Sequence, residues 1–351
     1  MSNWGTTPAL PDLLDHGQRG LSYSDAIFEA THLALDIDPS VRLFGEGVTD
    51  PAGTYNTTKN LHKEFGNDRV FDVPVAEGVI TGMGIGMSLV GLRPIVVHPR
   101  NDFLLVAMDQ ICNHAAKWRY MFGNKRPLPL VIRSVACRGW GSAAQHSQAL
   151  HATLAHFPGL HVLLPFTPFD AKGFLLWAIL ESEEPVVIIE HKWLWKLKGN
   201  VPEGKYFSKP GEPQVIREGR DITFIGLSYG VADALQAAKK LNGFDITAEV
   251  IDIRSLRPLK MDKILDSIRK TGRFLVIDTG HTFLGAGAEI VAQVMEQLHP
   301  SVLKSKPVRV GLPDTPIPAS SESTYYVSPD NIVKIAMNMM KSCNSHLGQC
   351  H

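Results

Sequence analysis

The fold of this chain is decided by residues 72–97, which read DVPVAEGVITGMGIGMSLVGLRPIVV. The first half predicts a Gly-rich helix over residues 77–89, and the second half predicts an apolar strand over residues 94–97. The same alternation of helices and short apolar strands recurs along the chain, most clearly at the predicted strand 185–189. Continuous apolar strands are typical of parallel sheets that helices cover on both faces. The sequence therefore predicts an α/β protein with doubly wound sheets.

The predicted elements fall into two domains. In the first, helices are predicted at 22–36, 77–89, 102–121, 147–156 and 170–181, and strands at 41–44, 94–97, 130–132, 162–164 and 185–189. In the second, strands are predicted at 222–226, 246–252, 273–277 and 307–310, and helices at 229–241, 261–270, 285–298 and 329–341. The segment between them is rich in lysine, proline and glycine, which is typical of a surface linker. We therefore expect domains over 1–190 and 216–351, joined by a linker over 191–215.

The composition excludes several classes of partner. The 351 residues contain 35 basic and 35 acidic side chains, so electrostatic binding to nucleic acid or to anionic lipid is not expected. The chain shows no secretory signal pattern and no run of about 18 apolar residues that would span a bilayer. Its 4 cysteines are irregularly spaced and lack metal-finger spacing, which favours a reducing compartment. We expect a cytoplasmic protein, although an organellar chain without its transit peptide would have the same composition.

Three residues of the first domain are candidates for chemistry. Glu77 stands on a Gly-rich turn, Phe103 follows Asp102 at a predicted helix start, and His146 lies in the segment AAQHSQ at 143–148. A buried carboxyl group can exchange a proton with a ligand, an aromatic ring can stack on a flat heterocycle, and an imidazole can transfer protons. Each residue also has a structural interpretation, as a glutamate favoured by a helix dipole, a core phenylalanine and a structural histidine.

Several longer strings occur together in one order. They are DVPVAEG at 72–78, GLRP at 91–94, MDQI at 108–111, AAKWRYM at 115–121, AQHSQ at 144–148 and PFTPFDAKG at 165–173. With these strings the chain resembles, over residues 20–335, the β subunits of 2-oxo acid dehydrogenase E1 components, which are thiamine diphosphate enzymes that feed lipoyl carriers. The second domain carries IDIRSLRPL at 251–259 and GAGAEI at 285–290, and it resembles the C-terminal domain of transketolase-like proteins.

This resemblance implies a fold and an activity. The expected fold is a pyrimidine-binding thiamine diphosphate domain followed by a transketolase C-terminal-like domain. The expected activity is decarboxylation of a 2-oxo acid, with transfer of the acyl unit to an acceptor, which is a lipoyl group in the dehydrogenases. The chain would act as the β subunit of a two-chain enzyme and would need an α subunit for activity.

The resemblance implies roles for five residues. Glu77 matches the acid that hydrogen-bonds N1′ of the cofactor's aminopyrimidine and favours the 4′-imino form that removes the proton from the thiazolium C2. Phe103 matches the aromatic residue that stacks on the aminopyrimidine. His146 matches the histidine that holds the substrate carboxylate or transfers a proton to the lipoyl acceptor. Glu46 and Tyr55 fall in segments that line the cofactor cleft.

The resemblance also implies partners and metal ions. The chain lacks the Gly-Asp-Gly…Asn segment with which such enzymes hold Mg²⁺ and the diphosphate, so an α-type E1 subunit is expected to supply it in an α₂β₂ heterotetramer. A lipoyl-bearing E2 core is a further expected partner. A K⁺ site is implied at five residues, and a solvated acidic turn is the alternative. These residues are Leu130, Val131, Ala178, Glu181 and Glu183.

Two segments depart from the family pattern. The run VHPRN at 97–101 stands where the family has an acid and an aromatic residue, and RSVACRGWG at 133–141 replaces a small Gly- and Pro-rich loop. Arg100 and Arg138 are candidates to bind an anionic group of the substrate, and Trp140 is a candidate to cover an apolar or sugar-like face. Surface arginines and a packed tryptophan are the structural alternative. These departures leave open a substrate other than pyruvate, and also an acyloin-forming or non-oxidative decarboxylating enzyme.

One motif predicts a different enzyme class. The segment GLSYG at 226–230 fits the G-x-S-x-G nucleophile elbow of serine hydrolases, since it follows a predicted strand and opens a predicted helix. A serine hydrolase that uses Ser228 is therefore a remote alternative, and a subunit without catalytic residues is a third interpretation. The acids and histidines that follow Ser228 in the required chain order are Asp252 or Asp278 and His281 or His299.

Overall fold

The computed structural model describes residues 13–341 apart from Arg138 and Trp140. The strands are β1 Gly20–Ser22, β2 Val41–Gly45, β3 Val70–Asp72, β4 Arg93–His98, β5 Val131–Ala136, β6 His161–Leu163, β7 Val186–His191, β8 Lys198–Asn200, β9 Gln214–Arg217, β10 Ile222–Gly226, β11 Ala248–Asp252, β12 Ser255–Arg257, β13 Phe274–His281 and β14 Val308–Leu312. The α-helices are α1 Tyr23–Ile37, α2 Leu61–Phe65, α3 Glu77–Leu89, α4 Ala116–Met121, α5 His151–Ala155, α6 Pro168–Leu180, α7 Gly230–Leu241, α8 Asp262–Thr271, α9 Ala286–Gln297, α10 Glu322–Tyr325 and α11 Pro329–Lys341.

Two compact units make up the described chain. The first ends at Pro210 and also includes Ser255–Pro258, whereas the second holds Gly211–Arg254 and the residues from Leu259 onward. Each unit contains a sheet of mainly parallel strands with helices between them, so the predicted α/β class is confirmed. Within the described part of the chain, none of the helices combines the length and the apolar character that crossing a bilayer requires.

The first unit is built around a seven-stranded sheet with the order β12-β6-β7-β5-β4-β2-β3. Neighbouring strands are parallel except for β12, which pairs antiparallel with β6 at one edge. Every residue of β5 and β7 is buried, which includes the apolar runs that predict these strands and also the charged side chains of Arg133 and Glu190. Because the strands are parallel, the carboxyl ends of β2, β4, β5 and β7 meet at one edge of the sheet, which is where ligands bind in open α/β sheets.

Local sequence explains where α1 begins and how closely α3 approaches the sheet. Ser22 caps α1, because its side chain accepts a hydrogen bond from the backbone N–H of Asp25. An added Cβ at Gly84 in α3 would lie 2.8 Å from the side chain of Val96 and 2.9 Å from that of Leu130. The Gly-rich sequence of α3 therefore lets the helix backbone lie directly on the sheet.

The predicted helix over residues 102–121 is not continuous. It consists of a 3₁₀ helix at Asn101–Leu105, a π-helix at Asp109–Ala115 and the α-helix α4. Such irregular turns change the direction of side chains around the helix axis, and they are frequent at functional sites. The three pieces are 5, 7 and 6 residues long, and each is too short for its apolar spacing to distinguish one helix type from another.

The predicted helix over residues 147–156 is shortened to α5. The backbone N–H of Gln148 donates to the Asp102 carboxylate at 3.0 Å, and the backbone N–H of Leu150 donates to the Asn101 side chain at 2.9 Å. These bonds to a distant segment hold residues 147–150 as a loop. Hydrogen bonds to two side chains of the 3₁₀ helix therefore take the place of the helical hydrogen bonds expected for the first turn.

The first half of the predicted linker over 191–215 contains regular elements. It contains a 3₁₀ turn at Lys192–Leu194 and strand β8, which pairs antiparallel with β1. The carbonyls of Trp195 and Leu197 accept hydrogen bonds from the first backbone N–H groups of α1, which have no partner inside that helix. This part of the segment therefore belongs to the packed first unit.

The second unit contains a five-stranded sheet with the order β14-β13-β10-β11-β9. Its strands are parallel except for β9, which pairs antiparallel with β11. Helices α7 and α9 directly follow β10 and β13 of this sheet, whereas β12 stands between β11 and α8 in chain order. The predicted strand 222–226 and the predicted helix 329–341 have these same bounds in the structure.

Candidate active site

The carboxyl ends of β2 and β4 and the start of α3 enclose a cavity of about 110 Å³. Glu46 follows β2, Glu77 opens α3, and His98 ends β4. These residues meet because β2 lies between β3 and β4 in a parallel sheet, so the segments that leave the three strands share one edge. The remaining lining residues follow β4 and are Pro99, Arg100 and Phe103. The predicted site residues that line this cavity are Glu46, Glu77, Arg100 and Phe103.

One carboxyl group of this cavity changes the pKa of another. The side chain of Glu77 is buried at the start of α3, with 6% of the residue exposed. Burial, and then the negative charges of Glu77 and Asp72, raise the pKa of Glu46 to about 7. The backbone N–H of Gly47 donates to Asp72 at 2.8 Å, and this bond fixes the turn after Glu46. Near neutral pH, Glu46 therefore exists in both protonation states, and the cavity can exchange a proton with a ligand.

Phe103 and His146 contact each other although they are distant in sequence. Their ring centroids lie 5.2 Å apart at an interplanar angle of 82°, which is an edge-to-face contact. Asn101 and Asp102 hold the loop after His146 against the 3₁₀ helix that carries Phe103. Nη1 of Arg100 also donates to the carbonyl of His146 at 3.4 Å. The structure thus brings together the predicted stacking residue and the predicted substrate histidine.

Of the three predicted substrate residues, Arg100 lies in the described chain, whereas Arg138 and Trp140 lie outside the described residues. Arg100 places a guanidinium group at the wall of the cavity. Its positive charge also reaches the buried Cys137 thiol, whose pKa burial nevertheless raises to about 11. An anion bound in the cavity would therefore have a cation beside it.

Tyr55 does not line the cavity that holds Glu77. Its backbone has a φ of 54°, and its ring packs on Trp195 with the centroids 4.1 Å apart. Burial raises the pKa of Tyr55 to about 12, and the neighbouring Cys137 thiol contributes to this shift. A cofactor contact of Tyr55 stays a prediction, separate from the cavity of Glu77.

The predicted K⁺ ligands come from two neighbouring segments. The N–H of Val186 donates to the carbonyl of Leu130 at 2.9 Å, and the N–H of Leu128 donates to the carbonyl of Glu183 at 2.8 Å. The carboxylate of Glu183 also pairs with Arg119 at 3.2 Å. Among the described residues, no cluster of three or more His, Cys, Asp and Glu side chains is arranged to hold a metal ion. The K⁺ site stays a prediction.

His98 lines the cavity although no sequence motif assigns it a role. Its side chain is fully buried, and its Nε2 lies 3.1 Å from Oγ1 of Thr81. Burial lowers the pKa of His98 to about 4, so the imidazole is neutral at pH 7. The signal in the sequence is its position, since His98 ends a buried strand just ahead of the Asp102-Phe103 pair, in a run where the family has other residues.

The buried imidazole of His98 predicts a pH-dependent stability. Its pKa is about 4 in the folded chain and 6.5 ordinarily, so between these values the unfolded chain binds more protons. We expect this residue to lower the free energy of unfolding by about 3 kcal/mol as the pH falls from 6.5 to 4. Urea unfolding of wild type and His98→Phe across this range measures the effect. The difference between the two urea midpoints should change with pH, and parallel curves would contradict a buried neutral imidazole.

The glycines of the predicted nucleophile elbow have a packing explanation. An added Cβ at Gly226 would lie 2.7 Å from Val231, and an added Cβ at Gly230 would lie 2.5 Å from the carbonyl oxygen of Ile277. The close approach of α7 to the sheet therefore requires both glycines. Ser228 between them has a φ of 51° and is 4% exposed, so its hydroxyl is shielded from molecules in solution.

Two family descriptions match the sequence and together span most of it. "Transketolase, pyrimidine binding domain" matches residues 19–196, and "Transketolase, C-terminal domain" matches residues 211–332. The chain is 40% identical over 335 residues to "Acetoin:2,6-dichlorophenolindophenol oxidoreductase subunit beta" of Cupriavidus necator, with 92% of this chain and 98% of the relative covered. It is 38% identical over 316 residues to "2-oxoisovalerate dehydrogenase subunit beta" of Bacillus subtilis, with 89% of this chain and 96% of the relative covered.

A solved structure has the same fold. The structure described as "Split gene transketolase, inactive beta4 tetramer" superposes with a TM-score of 0.73 and covers 92% of this chain and 99% of that chain. The two sequences are 24% identical, so this likeness supports the fold alone.

Proposed function

Because this chain belongs to the family of transketolase-like β subunits found in 2-oxo acid dehydrogenases and acetoin oxidoreductases, we propose that it is the β-type E1 subunit of a two-chain thiamine diphosphate enzyme. The proposed reaction is decarboxylation of a 2-oxo acid, with transfer of the acyl unit to a lipoyl acceptor. The observation that supports it most strongly is the cavity in which Glu77, Glu46 and Phe103 meet.

The residues of this cavity fit the aminopyrimidine ring of thiamine diphosphate. A flat heterocycle with ring nitrogens needs an aromatic neighbour and groups that exchange protons, and the cavity offers Phe103 beside two carboxyl groups. Oε1 of Glu46 is buried without a hydrogen-bond partner among the described residues, which is expected of a group that a ligand satisfies. When bound, thiamine diphosphate supplies a thiazolium carbon that adds to the carbonyl group of the substrate.

Each residue has a distinct task in this proposal. Glu77 holds a proton at a ring nitrogen of the aminopyrimidine, and its burial limits exchange with water. Phe103 orients the ring, and His146, in edge contact with Phe103, serves the substrate or the acceptor. Arg100 attracts the substrate carboxylate. The remaining proposed contacts are Tyr55 for the cofactor and Arg138 and Trp140 for the substrate.

An α-type chain is proposed to cover this site. Three valines next to it expose their side chains, with 75% of Val75, 73% of Val79 and 62% of Val106 exposed. The first two flank Glu77, and an added Cβ at Gly78 would lie 3.4 Å from the carbonyl oxygen of Val106. Apolar surface of this kind beside a charged cavity is typical of a protein interface. In an α₂β₂ assembly, the partner would bring the residues that hold Mg²⁺ and the diphosphate. A lipoyl-bearing E2 core would accept the acyl unit from this assembly.

The proposal also includes the domain limits and the K⁺ site. The pyrimidine-binding domain is proposed over 1–190, the linker over 191–215 and the C-terminal domain over 216–351. The family matches at 19–196 and 211–332 support the division into two domains, and they leave residues 197–210 between them. K⁺ is proposed at the start of β5 and at the end of α6 with the turn that follows it, supported by the hydrogen bonds that join residues 128–130 to residues 183–186.

The other enzyme classes are not favoured. The relatives are named as subunits of a dehydrogenase and of an oxidoreductase, which does not fit a non-oxidative ligase or decarboxylase. The burial of Ser228 and the packing role of its flanking glycines do not fit a serine hydrolase. The name of one relative contains acetoin, a hydroxyketone, so acetoin is the comparison substrate for any test.

Dye reduction by the two-chain enzyme tests this proposal. We expect the chain, co-expressed with α-type chains from its own genome, to purify as one complex that reduces 2,6-dichlorophenolindophenol when thiamine diphosphate, Mg²⁺ and a 2-oxo acid are supplied. Acetoin in place of the 2-oxo acid is the matched comparison. If the complex reduced the dye with acetoin as substrate but with none of the 2-oxo acids, its substrates would be hydroxyketones and the proposed 2-oxo acid substrate would be wrong. Turnover that does not depend on the cofactor would refute a thiamine enzyme.

A further inference from the structure

His98 offers a polar atom that the folded chain does not use. Its side chain is fully buried and lines the same cavity as Glu46, Glu77 and Phe103. One ring nitrogen, Nε2, lies 3.1 Å from Oγ1 of Thr81. The other, Nδ1, is shielded from solvent and has no hydrogen-bond partner among the described residues. Buried polar atoms are paired in most folded proteins, so an unpaired one at a cavity wall points to a ligand.

The tautomer of His98 follows from Thr81. This threonine is fully buried, and the hydrogen bond that the structure gives its hydroxyl is the one to Nε2. A buried hydroxyl proton needs an acceptor, so Thr81 donates and Nε2 accepts. A neutral imidazole has one N–H, which therefore lies on Nδ1. Because burial lowers the pKa to about 4, His98 is a neutral donor at pH 7.

We propose that His98 is a cofactor-binding residue that donates this N–H to a ring nitrogen of the aminopyrimidine. The inference rests on the proposed function. Thr81 stands four residues after Glu77 on α3, so the anchor of His98 and the acid of the site project from the same face of one helix. Phe103, the residue assigned to the face of the aminopyrimidine, lines the same cavity.

A neutral donor suits this position. Glu46 and Glu77 already supply two carboxyl groups to the cavity, and the pKa of Glu46 is raised to about 7. A charged imidazolium beside Glu46 would favour its ionised form and would oppose proton exchange. A neutral N–H orients the ring without changing the local charge, so control of the proton stays with Glu77.

Three substitutions of His98 separate this role from a structural one. His98→Asn keeps an amide near the place of Nδ1, His98→Gln keeps one near the place of Nε2, and His98→Phe keeps neither. The measurement is calorimetric binding of thiamine diphosphate with Mg²⁺ to the two-chain enzyme. We expect the Kd to rise about tenfold in the Phe and Gln variants, and by less than about threefold in the Asn variant.

Every other outcome refutes either the proposed role of His98 or the proposed function as a thiamine diphosphate enzyme. A wild-type complex that does not bind the cofactor refutes the proposed function itself. Wild-type affinity in His98→Phe refutes the role of His98 alone, and affinity kept by Gln and lost by Asn shows that the bond to Thr81 is what matters. An unchanged Kd with a raised KM for the 2-oxo acid assigns His98 to the substrate and also overturns the proposal. The Asn and Gln pair decides the question if the Phe variant does not assemble.

Discussion

Replacing Glu77 by glutamine is expected to lower the turnover of the two-chain enzyme by about 10³-fold or more while the subunits still assemble. The amide has nearly the shape of the carboxyl group, so the packing at the start of α3 is kept. It cannot exchange a proton with the aminopyrimidine nitrogen, and because Glu77 is buried, water has poor access to replace it. A loss of this size corresponds to about 4 kcal/mol of transition-state stabilisation.

Steady-state dye reduction and calorimetric binding of thiamine diphosphate, measured on one preparation, separate catalysis from binding. We expect kcat to fall far more than the affinity for the cofactor in Glu77→Gln. Glu203→Gln is the matched control, because it makes the same chemical change at a side chain that is 86% exposed. If the Glu77 variant turned over within about tenfold of wild type, the assigned role would be wrong and a subunit without catalytic residues would be favoured.

Replacing Glu190 by alanine is expected to destabilise the first unit by about 3–5 kcal/mol. Glu190 on β7 and Arg133 on β5 form an ion pair of 2.7 Å, and each side chain is 2% exposed. Removal of the carboxylate leaves the guanidinium buried without its counter-charge. Arg133 also donates to Oγ1 of Thr57 at 3.0 Å, and this bond to a neutral hydroxyl stays in the variant but does not replace the lost negative charge.

Urea and thermal unfolding midpoints measure this effect. Asp266→Ala is the control, because it removes an acid from an ion pair with Arg269 whose side chains are 72% and 51% exposed, and such pairs contribute little. The double change Arg133→Met with Glu190→Leu should recover most of the lost stability, since a buried pair can be replaced by apolar side chains of similar volume. A Glu190→Ala protein as stable as the double variant would show that the buried charge is not the cause.

The sequence was most informative where one local pattern covers a whole element. The helix predicted over 77–89 has those bounds in α3, and the strand predicted over 222–226 has those bounds in β10. It was least informative where the backbone bonds to distant side chains, as at residues 147–150, which Asn101 and Asp102 hold out of a helix. Apolar periodicity indicates which face of an element is buried, but it does not indicate hydrogen bonds to residues that are distant in sequence.

The sequence by itself determined the α/β class, the order of the longer helices and strands and the candidate Glu77, because burial periodicity and short motifs are properties of neighbouring residues. Only the tertiary structure decided that Phe103 and His146 touch, that Tyr55 lies outside the cavity and that His98 belongs to its wall. The physical reason is that these relations depend on which strand ends meet at the sheet edge and on hydrogen bonds between segments far apart in the chain, and both arise only when the sheet is assembled.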